Sequence, residues 1–469
     1  MDPKRNQYVM MKDTLEMNRI LARQFEQNEK QLASFMPGFI NDLRKDAIDS
    51  FIRLGLPGKN NEAYKYSAII HAFEPDYKMQ LTPSKVEFNV EDIFTCDVPD
   101  LKTRLEIILN GFYLSRETQL AELDNGILIG SLAAAIKKYP DLVMHHFSKY
   151  ADYKSSGLVA LNTAFAQDGL FVYLPPGTEL QNPIQVVNLP MTGLDTMLHY
   201  RNLIILEENS SGEIIVCDHT LSPFRFLTNS VTEISAGKNS RFNYSRVQNE
   251  HLNSNLITNL YIQQEKDSHV TTNSITLHGG IIRNNFCVML NDEGCENNTY
   301  GLFFADRNQH VDNYVSIDHA KPNCMSRQLF KGILDDSATG AFNGRIIVRK
   351  DAQKTNAFQT NNNILLSDTA KMNTKPQLEI YADDVKCSHG ATTGQLDENA
   401  LFYMQSRGIP TAEARLLMLY AFAHEVFDKI SITPLKERID HLVNKRLRGE
   451  LSRCNNCSMN CGEIQMPGQ

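Results

Sequence analysis

Gln377 to Arg415 reads QLEIYADDVKCSHGATTGQLDENALFYMQSRGIPTAEAR, and the chain changes architecture inside it. Leu378 to Val385 mixes β-formers with alternating polar positions, the pattern of a half-buried strand. Cys387 and His389 follow two residues apart. In extended chain, residues i and i+2 project from the same face, so a thiol and an imidazole stand side by side. Gly390 and Gly394 then loosen the backbone, and from Asp397 the pattern is helical, with Leu401, Phe402 and Met404 ahead of a stop at Gly408 and Pro410. Thiolates suit zinc, copper(I) and iron–sulfur clusters, and imidazole suits iron and zinc. Taken alone, the pair fits better a small buried thiol and a hydrogen-bonded histidine at a strand end, the commoner fate of single Cys and His.

Upstream, from about Asp168 to Thr392, short apolar-alternating runs recur: FVYLP, IQVVNLP, NLIILEE, EIIVCDH, SVTEISA, NLYIQQE, NYVSIDH, RIIVRK and NILLSD among them. Helical patterns do not separate them, so βαβ units are not expected, which leaves a sandwich, a barrel or a stacked solenoid. Their irregular spacing, roughly 20 residues, fits a parallel β-helix. Asn tolerates left-handed backbone, which makes Asn284-Asn285, Asn297-Asn298 and Asn361-Asn362-Asn363 corner candidates. Before this region, residues 12–72 read as helices with apolar stripes at Leu15, Ile20, Leu21 and Phe25 and at Phe39, Leu43, Ile48, Phe51 and Ile52, broken at Gly55-Leu56-Pro57-Gly58. Ser131 caps a further helix. After Gly394, Leu416, Leu417, Tyr420, Ala423, Val426, Phe427 and Ile430 form a broad apolar helical face, and Thr433-Pro434 opens another helix. The expected division is 1–165, a helical and mixed region; 166–393, a β core; and 394–469, a helical region with a cysteine-bearing tail.

The 469 residues allow an ample core. A net charge of −8 argues against a nucleic-acid partner, which calls for a basic face. No apolar run is long enough for a membrane span, and no secretory leader opens the sequence. Nine cysteines, mostly scattered, suit a reducing, cytoplasmic setting with free thiols. The phosphate-loop pattern G-x-x-x-x-G-K-[ST] is absent, so no ATP site of its own is expected.

Longer motifs carry a resemblance: ALNTAFAQDGLFVYLPPG (Ala160 to Gly177), RNLIILEENS (Arg201 to Ser210), and the stretch from Phe330 to Thr392 that ends in KCSHGAT. With these, the chain resembles the SufB/SufD family, scaffold subunits of the SUF iron–sulfur cluster assembly system, and the SufD branch more than the SufB branch. The segment FIRLGLPGKNNEAYKYSAI also resembles the family's N-terminal motif, with Tyr64 where a Trp is usual. The resemblance implies a mostly β fold, a right-handed parallel β-helix flanked by N-terminal and C-terminal helical domains. It implies a non-catalytic scaffold that holds an iron–sulfur cluster transiently, shared with a SufB-like subunit. His389 of the C-S-H-G stretch is then a metal ligand, with Cys387 as its less secure companion. It further implies a SufC-like ATPase docked on the C-terminal helices, at Leu416, Leu417, Tyr420, Val426, Phe427 and Ile430, and a homodimer is a possible state of the isolated chain.

Two other classes compete: a β-helix carbohydrate-active enzyme and a purely structural interaction protein. The enzyme needs clustered carboxylates and sugar-stacking aromatics, but the chain has no Trp, and adjacent Asp383 and Asp384 point to opposite faces of a strand. His310 and Asp312 share a face with His319 following, a pattern that fits a polar ladder between coils. Cys454, Cys457 and Cys461 give C-x2-C-x3-C without an obvious fourth ligand, and a disordered, reducible tail is the default reading.

Overall fold

In the computed structural model, residues 3–34, 36–84, 103–115, 118–220 and 222–451 are described. Two helices, α1 (Pro3–Ser34) and α2 (Gly38–Leu54), open the chain. Three shorter ones follow at α3 (Leu132–Lys138), α4 (Pro140–His146) and α5 (Gly157–Phe165), and Ser131 caps α3 by accepting from the Ala134 amide. From Leu170 to Gly394 the chain coils through a parallel β-solenoid of about eight turns. Each turn lays one strand in each of two facing sheets. The first sheet runs through Leu170–Leu174, Thr196–Leu206 and their successors to Lys371–Ile380, the second through Ile184–Leu189 and its successors to Val385–Gly394. The chain closes with α6 (Glu398–Ser406), α7 (Thr411–Phe427) and α8 (Thr433–Leu447).

Consecutive turns pair in register, Phe226 with Ser254 and Glu296 with Met325 for example, so identical positions stack into columns along the axis. Inward columns are apolar where the sheets face each other: Val186, Val216, Ile234, Leu260, Phe286, Val315 and Phe330 belong to one continuous core. One corner of each coil needs a residue at positive φ. These fall at Asn209, Asn239, Asp267, Gly294, Asn323 and Lys354, in steps of 30, 28, 27, 29 and 31 residues. The coil is therefore longer than the strand spacing suggests, because two strands fill each turn.

The asparagine corners expected from sequence are corrected. Asn284, Asn285, Asn297, Asn361 and Asn363 are buried inside strands. Their amides bond along the stack: Asn285 Nδ2 donates to Asn259 Oδ1 at 2.9 Å, and Asn259 Nδ2 to Asn229 Oδ1 at 3.1 Å. In-register stacking gives these buried amides partners in adjacent coils, which offsets the cost of burying them.

The first turn is extended and covered by the N-terminal region. Arg104–Leu109 pairs with Ile184–Leu189, and Leu128–Ser131 pairs antiparallel with Leu170–Tyr173. Helix α5 is wholly buried between α2 and the first sheet. Gly157 permits that approach, since a Cβ there would sit 1.9 Å from the Gly55 carbonyl oxygen. Leu21, Phe25, Ile48 and Phe51 bury their side chains as the helical stripes predict, whereas Leu15, Ile20 and Ile52 are exposed. A buried ion pair locks the covering to the solenoid. Glu233 meets Arg201 at 2.7 Å and also accepts from the amides of Ser148, Tyr150 and Ala151 at 2.9–3.0 Å.

Candidate functional site: the open end of the solenoid

At the opposite end the last coil has no cover. Lys371–Ile380 pairs only with Thr339–Val348, and Val385–Gly394 only with Thr355–Ile364, so two strand edges are unpaired among the described residues. Such an edge presents free N–H and C=O groups and is a ready template for another chain. Gly390 and Gly394 face open space. Ile380 and Tyr381 are exposed large apolar side chains at the corner of this coil, and Phe358 is another on the coil beneath.

Cys387 and His389 lie in the middle of the last strand, not where strand gives way to loop. Leu378 to Val385, expected as one strand, is the end of one strand, a corner at 381–384, and the start of the next in the other sheet. Gly390 and Gly394 belong to that last strand as well. Cys387 pairs with Ala357 and His389 with Gln359, and both partners are buried, inward-facing positions. The thiol and the imidazole therefore share the face turned to the solenoid interior, as the i, i+2 spacing predicts. Among the described residues no further turn lies over them, so a row that is buried in the coil beneath, at Ala357 and Gln359, becomes surface here. Cys387 is half-buried against Ile346, Val348, Ala352, Ala357 and Ala382, and His389 is exposed. Burial pushes the Cys387 thiol up, opposed by a hydrogen bond from the Ala357 backbone. A metal must therefore displace its proton to bind there.

Two donors do not complete a metal site. Among the described residues no group of three or more His, Cys, Asp or Glu is placed to hold a metal ion. Asp383 and Asp384 are exposed at the corner, and the Asp384 carbonyl accepts from the Lys354 amide at 2.6 Å. His310 belongs to a separate polar stack two coils in from the last strand of the first sheet: it accepts from the Ala68 amide at 3.2 Å and bonds Thr339 at 2.7 Å, while Asp312 pairs with Arg283. Cys454, Cys457 and Cys461 lie outside the described residues.

The C-terminal helical face divides in two. Val426, Phe427 and Ile430 are buried against the outer side of the second sheet with Leu302, Phe304 and Ile333, and so are not open to a partner. Lys331 fastens this packing by donating to the Phe422 carbonyl at 3.1 Å and pairing with Glu425. Leu416 and Tyr420 are half-buried, and Leu417 is 43% exposed. The larger apolar surface is one the periodicity reading missed. Helix α6 buries no residue, yet Phe402 and Tyr403 are 71% and 58% exposed.

Among the described residues no helix is long and apolar enough to cross a membrane. Residues 189–422 match the family described as "SUF system FeS cluster assembly, SufBD core domain", and residues 16–186 match "SufBD protein N-terminal region". An iron–sulfur cluster assembly SufBD family protein of Synechocystis is 29% identical, over 86% of this chain and 90% of its own length. The iron–sulfur cluster assembly protein SufD of Escherichia coli is 35% identical over 54% of this chain and 59% of its own length. The Bacillus subtilis SufD is 27% identical over 69% and 75%. Two matched regions that run almost end to end, over a solenoid with helices at both ends, make this chain a member of the SufBD family of the SUF iron–sulfur cluster assembly system.

Proposed function

We propose that this chain is a non-catalytic scaffold subunit that joins a SufB-like subunit through its open solenoid end and shares a nascent iron–sulfur cluster across that joint. The observation that carries this reading is the last coil: an inward-facing row holding one thiol and one imidazole, left uncovered, beside two unpaired strand edges. Two donors from one side suit a cluster completed by thiolates from the other. The cluster is cargo, assembled and passed on. A SufC-like ATPase docks on α6 and α7, where Phe402, Tyr403 and Leu417 are exposed and Leu416 and Tyr420 flank them. An exposed apolar patch of this kind is most simply a partner surface. The chain supplies no ATP site, and the purified subunit is expected to show no ATP turnover.

The joint is tested by filling it. Ala391→Lys with Thr393→Lys places two cations in the open row, at exposed positions, and displaces only the 3.4 Å contact that Asn363 Nδ2 makes to Thr393 Oγ1. Native mass spectrometry of the co-expressed assembly is expected to show loss of the SufB-like subunit, with unchanged melting of the isolated chain. Retention of that subunit overturns the assignment of the interface, and replacement by a second copy of this chain in the wild-type sample points to a homodimer at the same end.

A further inference from the structure

At one corner of the solenoid the same site recurs from coil to coil. In register, it is filled by Ser210, Ser240, Ser268, Cys295, Cys324 and Thr355. The position takes a small side chain, and serine suffices on three coils; Ser210 and Thr355 donate to the Glu207 and Ala352 carbonyls three residues back. Cysteine replaces it on two consecutive coils, and only there. Strands of one sheet lie about 4.8 Å apart, within the Cα separation of about 4.4–6.8 Å that a disulfide spans.

The two thiols converge. Each approaches the Asp292 carbonyl oxygen, Cys295 Sγ at 3.1 Å and Cys324 Sγ at 3.2 Å. Cys295 and Cys324 are 1% and 0% exposed, but the adjoining turns, Asn291–Gly294 and Lys321–Asn323, are exposed or half-buried throughout. His319 stands beside them, wholly buried; its Nε2 bonds Ser326 Oγ at 2.9 Å and its Nδ1 has no partner. The other described cysteines, Cys217, Cys287 and Cys387, have no second thiol in this relation. We propose that Cys295 and Cys324 form a peroxide-reactive dithiol that closes to a disulfide joining two consecutive coils.

The Cys324 thiol is drawn down by the adjoining Cys295 thiol and by His319 beside it, against burial, while Cys295 is pushed up by the Cys324 thiol and by burial. Cys324 is thus the attacking sulfur, since the thiolate is the nucleophile. Its proton passes to the His319 imidazole. The thiolate attacks one oxygen of hydrogen peroxide, the O–O bond breaks, and the departing hydroxide takes the imidazole's proton as water. Cys324 is left as the sulfenic acid. The Cys295 sulfur displaces the hydroxyl from that sulfur, the S–S bond forms, and the hydroxyl leaves with the Cys295 proton as a second water. Two thiols are oxidised to one disulfide, and one peroxide is reduced to two waters.

The test exposes the anaerobically purified full chain to hydrogen peroxide, then denatures and alkylates it. Without peroxide all nine cysteines are expected to alkylate. After peroxide, peptide mapping is expected to find Cys295 joined to Cys324, with Cys217 and Cys287 still alkylated, and dithiothreitol restores both thiols. In Cys295→Ser, which places the residue of neighbouring coils at this corner, no cross-link forms and dimedone labels Cys324. If both thiols still alkylate after peroxide, or if Cys324 proceeds to sulfinic acid while Cys295 remains free in the wild-type chain, the proposal fails. The wild-type map decides even if the serine variant does not fold.

Discussion

The two ends of the solenoid meet the same problem in opposite ways. A stack of coils must finish somewhere, and its last strands and inward rows are then exposed. At the N-terminal end both are covered. Strands 104–109 and 128–131 extend the sheets, α5 is wholly buried, and Glu233 ties the covering segment to Arg201. At the C-terminal end neither is covered. The inward row surfaces as Cys387, His389 and Ala391, and the strand edges are free. On the function proposed above, one end is closed for stability and the other is left open for a partner. The difference predicts that mutations at the first end act on folding, and mutations at the second act on assembly and cluster content.

The largest effect is expected at Glu233. Its carboxylate is wholly buried, pairs with Arg201 and satisfies three amides. Glu233→Ala leaves a buried guanidinium without its partner, at a cost of about 3–5 kcal/mol. Denaturant unfolding of the isolated chain measures it, and a loss under about 1 kcal/mol would break the contrast between the ends.

Next comes acid sensitivity at the closed end. His199, stacked on Phe165, has its pKa lowered to about 3 by burial. A histidine depressed in the folded state contributes stability that is fully present above its unfolded pKa, about 6.5. That stability falls as pH drops below this value, because the unfolded chain then binds the extra proton, and the loss is complete near the folded pKa. The slope is about 1.4 kcal/mol per pH unit, or about 2 kcal/mol by pH 5. His199→Gln should flatten that part of the stability–pH curve, and an unchanged curve would remove His199 as its source.

Smaller still is the expected effect on folding of Phe402→Asp with Leu417→Asp. Both side chains are exposed, and such surface changes stay within about 0.5 kcal/mol. Co-purification of the SufC-like ATPase is expected to be lost while melting is unchanged. Retained ATPase would move the docking surface elsewhere.

Much of the fold was legible in the sequence, and the failures have physical causes. The strand runs and the lack of helices between them point to a stacked β architecture, but they do not reveal that two strands fill one turn. Asn signals a corner by its tolerance of left-handed backbone, yet it also forms buried ladders once coils are in register. Asn209, Asn239 and Asn323 do the first, and Asn259, Asn285 and Asn297 the second. Lys354, at φ 57°, gives no sequence signal for its corner. The shared face of Cys387 and His389 follows from local geometry, but its exposure depends on the absence of a further coil above. Helical periodicity located the apolar face of α7 without distinguishing the part that packs on the sheet, at Val426, Phe427 and Ile430, from a part free for a partner. Phe402 reads as part of a helical pattern, and only the lack of any buried residue in α6 marks it and Tyr403 as a surface.

The central claim is that the open end serves chemistry rather than folding, and His389 tests it most directly. His389→Ala removes an exposed imidazole that has no role in the packed core. The account predicts that the variant melts within about 0.5 kcal/mol of wild type, assembles with its partners, and yields an anaerobic complex that has lost its iron–sulfur content. A variant complex with full iron and sulfide content would contradict it.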